Sequence, residues 1–160
     1  MEMILFIIFY IVATPLSVLL HEVGHAVGII AFTRENARVF LGPANKSNKE
    51  VFKIGRMHFH ITLAFFGYCN FSKGDEKQTN FQRGIIAAGG PIMSLLLSIL
   101  FYIISIYTTQ PEIGKFAAGI SLFNMLNFLL TIIPIKYPKW WGPYKGFPSD
   151  GYRIYMAVKK

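Results

Sequence analysis

Three long apolar runs separated by polar segments set the layout of this 160-residue chain. From Met3 to Leu20 no charged residue occurs, and the apolar character resumes beyond His25 as far as Phe32. A helix over 3–33 would be about 46 Å long at 1.5 Å per residue, enough to cross a hydrocarbon core of about 30 Å with some tilt. Pro15 falls inside that run and should kink or loosen the helix, because it removes a backbone donor. Residues 84–109 and 113–135 form two further apolar stretches, separated by a turn at Gln110-Pro111-Glu112. The pattern predicts a mainly α membrane protein with three transmembrane helices, a strand-rich insert at 34–83 and a C-terminal segment at 136–160. No repeat, low-complexity tract or long linker divides it, so 1–160 reads as a single domain.

Within the insert, residues Arg56 to Phe65 alternate: Met57, Phe59, Ile61, Leu63 and Phe65 on one side, Arg56, His58, His60 and Thr62 on the other. This is the signature of an amphipathic strand. Ala37 to Leu41 and Val51 to Ile54 are shorter strand candidates, punctuated by Gly42-Pro43 and Gly55. A small cytoplasmic β-sheet or hairpin against the membrane is the expected outcome. His58 and His60 share a face and are spaced to chelate, although two solvated histidines on the polar side of a strand is the simpler reading.

Composition supports the membrane reading. With 53% hydrophobic and 15% charged residues and a mean hydropathy of +0.44, the chain is not disordered, and 160 residues leave no spare length for the second core of a two-domain soluble enzyme. The single cysteine, Cys69, excludes an internal disulfide framework and a zinc site built mainly from thiolates. A net charge of +8 would suggest nucleic acid for a soluble protein, but the positive residues lie between apolar runs rather than on one basic face. The lipid bilayer, not nucleic acid, is the expected partner. With three spans, 34–83 and the C-terminal tail share one side of the membrane and hold fifteen of the sixteen Lys and Arg residues, leaving Lys115 opposite. The positive-inside rule then places the N-terminus outside, with the insert and the C-terminus in the cytoplasm. A signal peptide fits poorly, since the first run has no basic flank before it and no small-x-small cleavage site after it.

The candidate chemistry lies in the first span, where His21-Glu22-Val23-Gly24-His25 forms the pattern H-E-x-x-H. Four residues of helix turn about 400°, so both imidazoles lie on one face and can hold one zinc ion, with Glu22 within reach of a water on that ion. From this composition, the chance of an accidental match is roughly four in a thousand. Helix-to-helix polar contacts are the competing explanation, but ionisable residues spaced as metal ligands inside a span favour a functional site. Gly24 and Gly28 add a small-xxx-small face for close approach of another span.

A catalytic zinc usually takes three protein ligands and keeps one open position. The acids available for the third are few. Glu2 and Glu112 belong to the outer side, while Glu35, Glu50, Asp75 and Glu76 sit among solvated loop residues. Asp150, followed by Gly151 and placed after the third span on the cytoplasmic side, is the best candidate. Its alternative role is to N-cap a final helix over 152–158, which Ser149 could equally do.

The H-E-x-x-H motif in a first span, Ala87-Ala88-Gly89-Gly90-Pro91 opening the next, and Pro134 followed by Asp150-Gly151 after the third together resemble the site-2 protease family of intramembrane zinc metalloproteases. The resemblance covers the chain in order, including the strand-rich insert. It implies that His21, His25 and Asp150 bind Zn2+, that Glu22 is the catalytic base, and that the substrate is a membrane-anchored protein or peptide cut in or near its transmembrane segment. Two departures stand out. The family commonly places an asparagine three residues before its proline, where this chain has Thr131, with Asn124 and Asn127 upstream. Residues 137–147 also lengthen the interval between proline and aspartate, and hold Tyr137, Trp140, Trp141 and Tyr144 among lysines. That stretch reads as an interfacial anchor or, more sharply, as a gate over the site. The remaining alternatives are a catalytically inactive membrane protein that binds or regulates single-span partners and, ranked last, a divalent-metal transporter.

Overall fold

The computed structural model describes residues 2–72 and 77–159, so Asp75, Glu76 and the side chain of Glu2 lie outside the described residues. The chain begins with α1 (Glu2–Ile8), a π-helical turn (Phe9–Ala13) and α2 (Thr14–Phe32), which together make one apolar rod. The π-helical turn directly precedes Pro15, whose missing N–H and bulky ring oblige the turn before it to widen. Thr14 Oγ1 donates to Tyr10 O at 2.9 Å within the widened turn. The loosening expected at Pro15 is therefore present.

Two further long helices follow the insert, α3 (Asn80–Tyr107) and α4 (Pro111–Ile132), and a short α5 (Asp150–Val158) closes the chain. The rod and these two helices are each long and apolar enough to cross a membrane. α3 begins at Asn80 rather than at residue 84 because Thr79 and Gln82 form a capping box: Thr79 Oγ1 accepts from the Gln82 amide and Gln82 Oε1 from the Thr79 amide. α4 ends at Ile132, three residues short of the expected 135.

The helices meet through small and polar residues. A Cβ on Gly24 would overlap the Gly89 carbonyl, and one on Gly89 the Gly24 carbonyl, so α2 and α3 cross backbone to backbone. Ser121 Oγ of α4 donates to Ser98 O of α3 at 2.8 Å, and Asn124 Nδ2 of α4 donates to Ser17 Oγ of α2 at 3.0 Å. Large apolar side chains such as Phe6, Ile11, Leu96, Ile103 and Leu122 point outward and are exposed. The helical layer is thus polar and small within, large and apolar without.

The insert folds into a mixed four-stranded sheet of β1 (Ala37–Leu41), β2 (Glu50–Ile54), β3 (Met57–Ile61) and β4 (Gly67–Phe71), in the order β2-β3-β1-β4. β1 pairs in parallel with β3 and antiparallel with β4, leaving β2 and β4 as edges. The strand expected over 56–65 stops at Ile61. Leu63 and Phe65 are exposed in the turn to β4, which the alternation did not reveal. One face of the sheet packs Ala37, Val39 and Phe59 against Ala26 and Ile29 of α2. Arg56 fastens the joint: its guanidinium donates to Thr33 O at 2.9 Å, to Glu35 O at 3.0 Å and to Ile30 O, carbonyls at or just beyond the end of α2.

Candidate metal centre

His21 and His25 stand one turn apart on α2, their rings 4.9 Å between centroids and nearly perpendicular. Both are buried. Asp150 reaches them from the first turn of α5, 129 residues from His21, with Oδ2 at 3.2 Å from His21 Nε2 and 3.3 Å from His25 Nε2. Ligands on bonds of about 2.0–2.1 Å around a tetrahedral zinc lie roughly 3.3–3.4 Å apart, so these spacings suit one shared ion. Among the described residues, this is the group of His, Cys, Asp and Glu side chains that brings three ligand atoms within 4.8 Å of one another.

The far side of each ring is fixed as ligation requires. His25 Nδ1 donates to Ile86 O at 2.7 Å, which leaves its Nε2 lone pair for the centre. The Gly90 amide lies 3.3 Å from the same Nδ1, but a carbonyl only accepts, and the shorter contact fixes the proton there. His21 Nδ1 lies 2.9 Å from Ser94 Oγ, which also accepts from Asn127 Nδ2 at 3.1 Å. Ser94 is fully buried. Behind the ligands, α3 presents Gly90, where any Cβ would run into Nε2 of both histidines. The donor set and its supports fit a zinc ion with one position open.

The loop that carries Asp150 explains how a longer interval still delivers the carboxylate. After α4 the chain forms a narrow hairpin over 135–149, with Tyr137 N–H donating to Phe147 O and Ser149 N–H to Ile135 O, both at 2.9 Å, and Lys136 bridging antiparallel to Pro148. Ser149 is the N-cap of α5, accepting from the Tyr152 amide at 3.1 Å, which frees Asp150 to turn toward the histidines. Gly151 lies so close to Ile132 O that a Cβ there would clash, so α5 sits directly on the end of α4. Burial alone would raise the Asp150 carboxyl, but His25 and His21 outweigh it and hold the group well below the usual carboxylate range.

The open side of the centre faces a cleft of about 840 Å³, lined by Glu22, the start of β4, Asn127 and Thr131 of α4, and the 137–147 hairpin. Glu22 is buried beside Gly67, close enough that a Cβ on that glycine would press on its side chain. Thr131 and Asn127 both line the cleft, although the Thr131 hydroxyl donates to Asn127 O of its own helix. Asn124 is buried away from the cleft, tied to Ser17. His58 and His60 take no part: His58 pairs with Glu50 at 2.9 Å, and His60 donates to Asn48 O at 2.9 Å while stacking on Phe40. Their hydrogen bond and ion pair hold the sheet together rather than a metal.

Two contributors escaped the sequence. Ser94 follows Gly90-Pro91 by one helical turn, a spacing that acquires meaning only once α2 and α3 are seen to cross. Arg153 joins the cleft from α5, one turn beyond Asp150. Tyr144, one of the aromatics the sequence singled out in 137–147, reaches in from the hairpin, where burial and the Glu22 charge push its hydroxyl well above the ordinary range. Burial likewise lifts Tyr137 to about 12.

With this arrangement in view, a family comparison is decisive. The profile of Peptidase family M50, the site-2 protease family, matches residues 9–148, and the chain belongs to that family of metallopeptidases. The matched stretch includes the H-E-x-x-H helix, all four strands and the Gly90-Pro91 element; it ends two residues before Asp150, which joins the centre by geometry. No curated protein and no solved structure matches the chain.

Proposed function

We propose that the chain is a zinc-dependent intramembrane endopeptidase that hydrolyses a peptide bond in or near the transmembrane segment of a membrane-anchored protein or peptide. The observation that carries this reading is the meeting of His21, His25 and Asp150 within 4.8 Å, with Glu22 lining the cleft onto which they open. In this reading 1–160 is one catalytic domain, its three apolar helices cross the bilayer, and the N-terminus lies outside with the sheet and the C-terminus in the cytoplasm. The exposed large apolar side chains around the bundle support burial in lipid.

His21, His25 and Asp150 would hold the zinc ion. When bound, zinc supplies a Lewis acid and an acidified water. Glu22 takes a proton from the attacking water as its oxygen joins the scissile carbonyl carbon, and delivers that proton to the departing amine nitrogen, so the C–N bond is replaced by a carboxyl and an amine. Ser94 and Ile86 keep the imidazoles oriented throughout.

A helical substrate hides its carbonyls in its own hydrogen bonds, so a locally extended segment must be presented. Addition of that segment to the free edge of β4 would supply the backbone partners lost on unwinding. The test is Glu22→Gln in the full chain reconstituted in bilayers with a single-span substrate. Cleavage should fall by at least about 10²-fold while zinc content stays at the wild-type level; retained cleavage would refute the assigned role of Glu22.

A further inference from the structure

Part of the outer edge of β4 is already in use. Gly42 N–H donates to Phe66 O at 2.8 Å and Ser72 N–H to Asn36 O at 2.8 Å, and these pairs bracket the β1–β4 ladder. In an antiparallel pair, hydrogen-bonded and non-bonded positions alternate, so the backbone N–H and C=O of Gly67 and Cys69 point away from β1 toward the open edge. At Gly67 both groups are taken by one side chain. The Gly67 N–H donates to Tyr144 Oη at 3.0 Å, and the Tyr144 hydroxyl donates back to Gly67 O at 3.2 Å. A phenolic hydroxyl, donor and acceptor at once, reproduces there the pair of contacts that an added strand would make. A second bond, from Tyr68 Oη to Pro143 O at 2.7 Å, and the packing of the Tyr68 and Tyr144 rings at 5.5 Å bind the hairpin to the same edge.

Gly67 also lies beside Glu22, so close that a Cβ there would press on the Glu22 side chain. Resting on the proteolytic reading above, we propose that Tyr144 is a specificity-determining residue: its hydroxyl closes the strand edge beside the catalytic base, and only a segment that offers a free backbone C=O and N–H together displaces it. Such a segment is one already unwound. An intact helix has spent those groups internally and gains nothing at Gly67 that offsets the loss of the tyrosine contacts. Burial keeps the hydroxyl protonated, so it can donate throughout the physiological range.

The test compares two dye-labelled synthetic single-span peptides, one with an uninterrupted Leu/Ala core and one with a central Gly-Gly-Pro break, on the full zinc-loaded chain in bilayer discs. Wild type should favour the broken peptide by about tenfold or more in kcat/KM. Tyr144→Phe, which keeps the ring and removes the hydroxyl, should bring that ratio below about threefold, chiefly by lowering KM for the uninterrupted peptide, with kcat and zinc content held within about twofold. An unchanged ratio, or a change in kcat alone, would overturn the assignment. Binding of both peptides to Glu22→Gln and to Glu22→Gln/Tyr144→Phe, read by fluorescence anisotropy, repeats the comparison without turnover. If neither peptide is cut by wild type yet the affinity ratio collapses in the double variant, the proteolytic reading fails and the gate stands; if the affinities do not move, the gate fails whatever the cleavage result.

Discussion

Each metal-facing imidazole depends on one atom behind it, and Ser94 makes the dependence testable. Replacing Ser94 by Ala removes the acceptor at 2.9 Å from His21 Nδ1 and leaves Asn127 without its partner. Zinc affinity should fall by about 10–100-fold in a chelator competition, with the helical signal unchanged; wild-type affinity would show that His21 needs no such support. His21, Glu22 and His25 were legible from residue types and spacing, because a helix converts four positions of sequence into one shared face. Asp150 was the acid the sequence favoured as the third ligand, but whether it or Ser149 caps α5 was not legible. Both residues can cap a helix, and only the folded hairpin shows Ser149 doing so while Asp150 points at the histidines.

At the scale of elements, two joints position the site. Arg56 ties the sheet to the end of α2 by bonds to three carbonyls. Arg56→Met keeps most of the stem but leaves those carbonyls unpaired, and should cost about 1.5–3 kcal/mol, read as a lower unfolding midpoint of the reconstituted protein; an unmoved midpoint would remove the joint from the stability of the fold. The second joint is the β4 edge. Cys69→Pro deletes an outward N–H without breaking a bond to β1, and edge strands accept proline. If substrate adds to this edge, cleavage drops while zinc content holds; normal cleavage would place the substrate elsewhere.

β1 and most of β2 and β3 could be read from alternation and glycine punctuation, but the parallel β1–β3 pairing and β4 could not. Gly67-Tyr68-Cys69-Asn70-Phe71 owes its extended form to the partner it meets, not to a pattern of its own. The apolar run begins at residue 84, four residues inside α3, because the Thr79 and Gln82 capping box starts the helix in a polar stretch.

For the whole molecule, the distribution of side chains determines where it can live. Serines, Asn124 and glycines fill the helix contacts, while large apolar groups face outward over three helices that suit a bilayer. The proposed orientation rests on the charge asymmetry, and under it a cysteine at Lys46 in a Cys69→Ser background should react with an impermeant maleimide only after sealed cells are opened. Labelling of intact cells would invert the topology. The candidate metal centre is a whole-molecule product, since His21 and His25 lie far in sequence from Asp150 and meet it only when α2, α3 and α5 are assembled around Gly90 and Gly151.

The most direct measurement is therefore zinc per chain in purified, reconstituted protein with and without Asp150→Ala, by elemental mass spectrometry after removal of loosely held metal. One ion per wild-type chain and less than about a tenth of that in the variant, with the helical content of both preserved, is the expected result. Equal zinc in the two proteins would contradict a centre built from His21, His25 and Asp150.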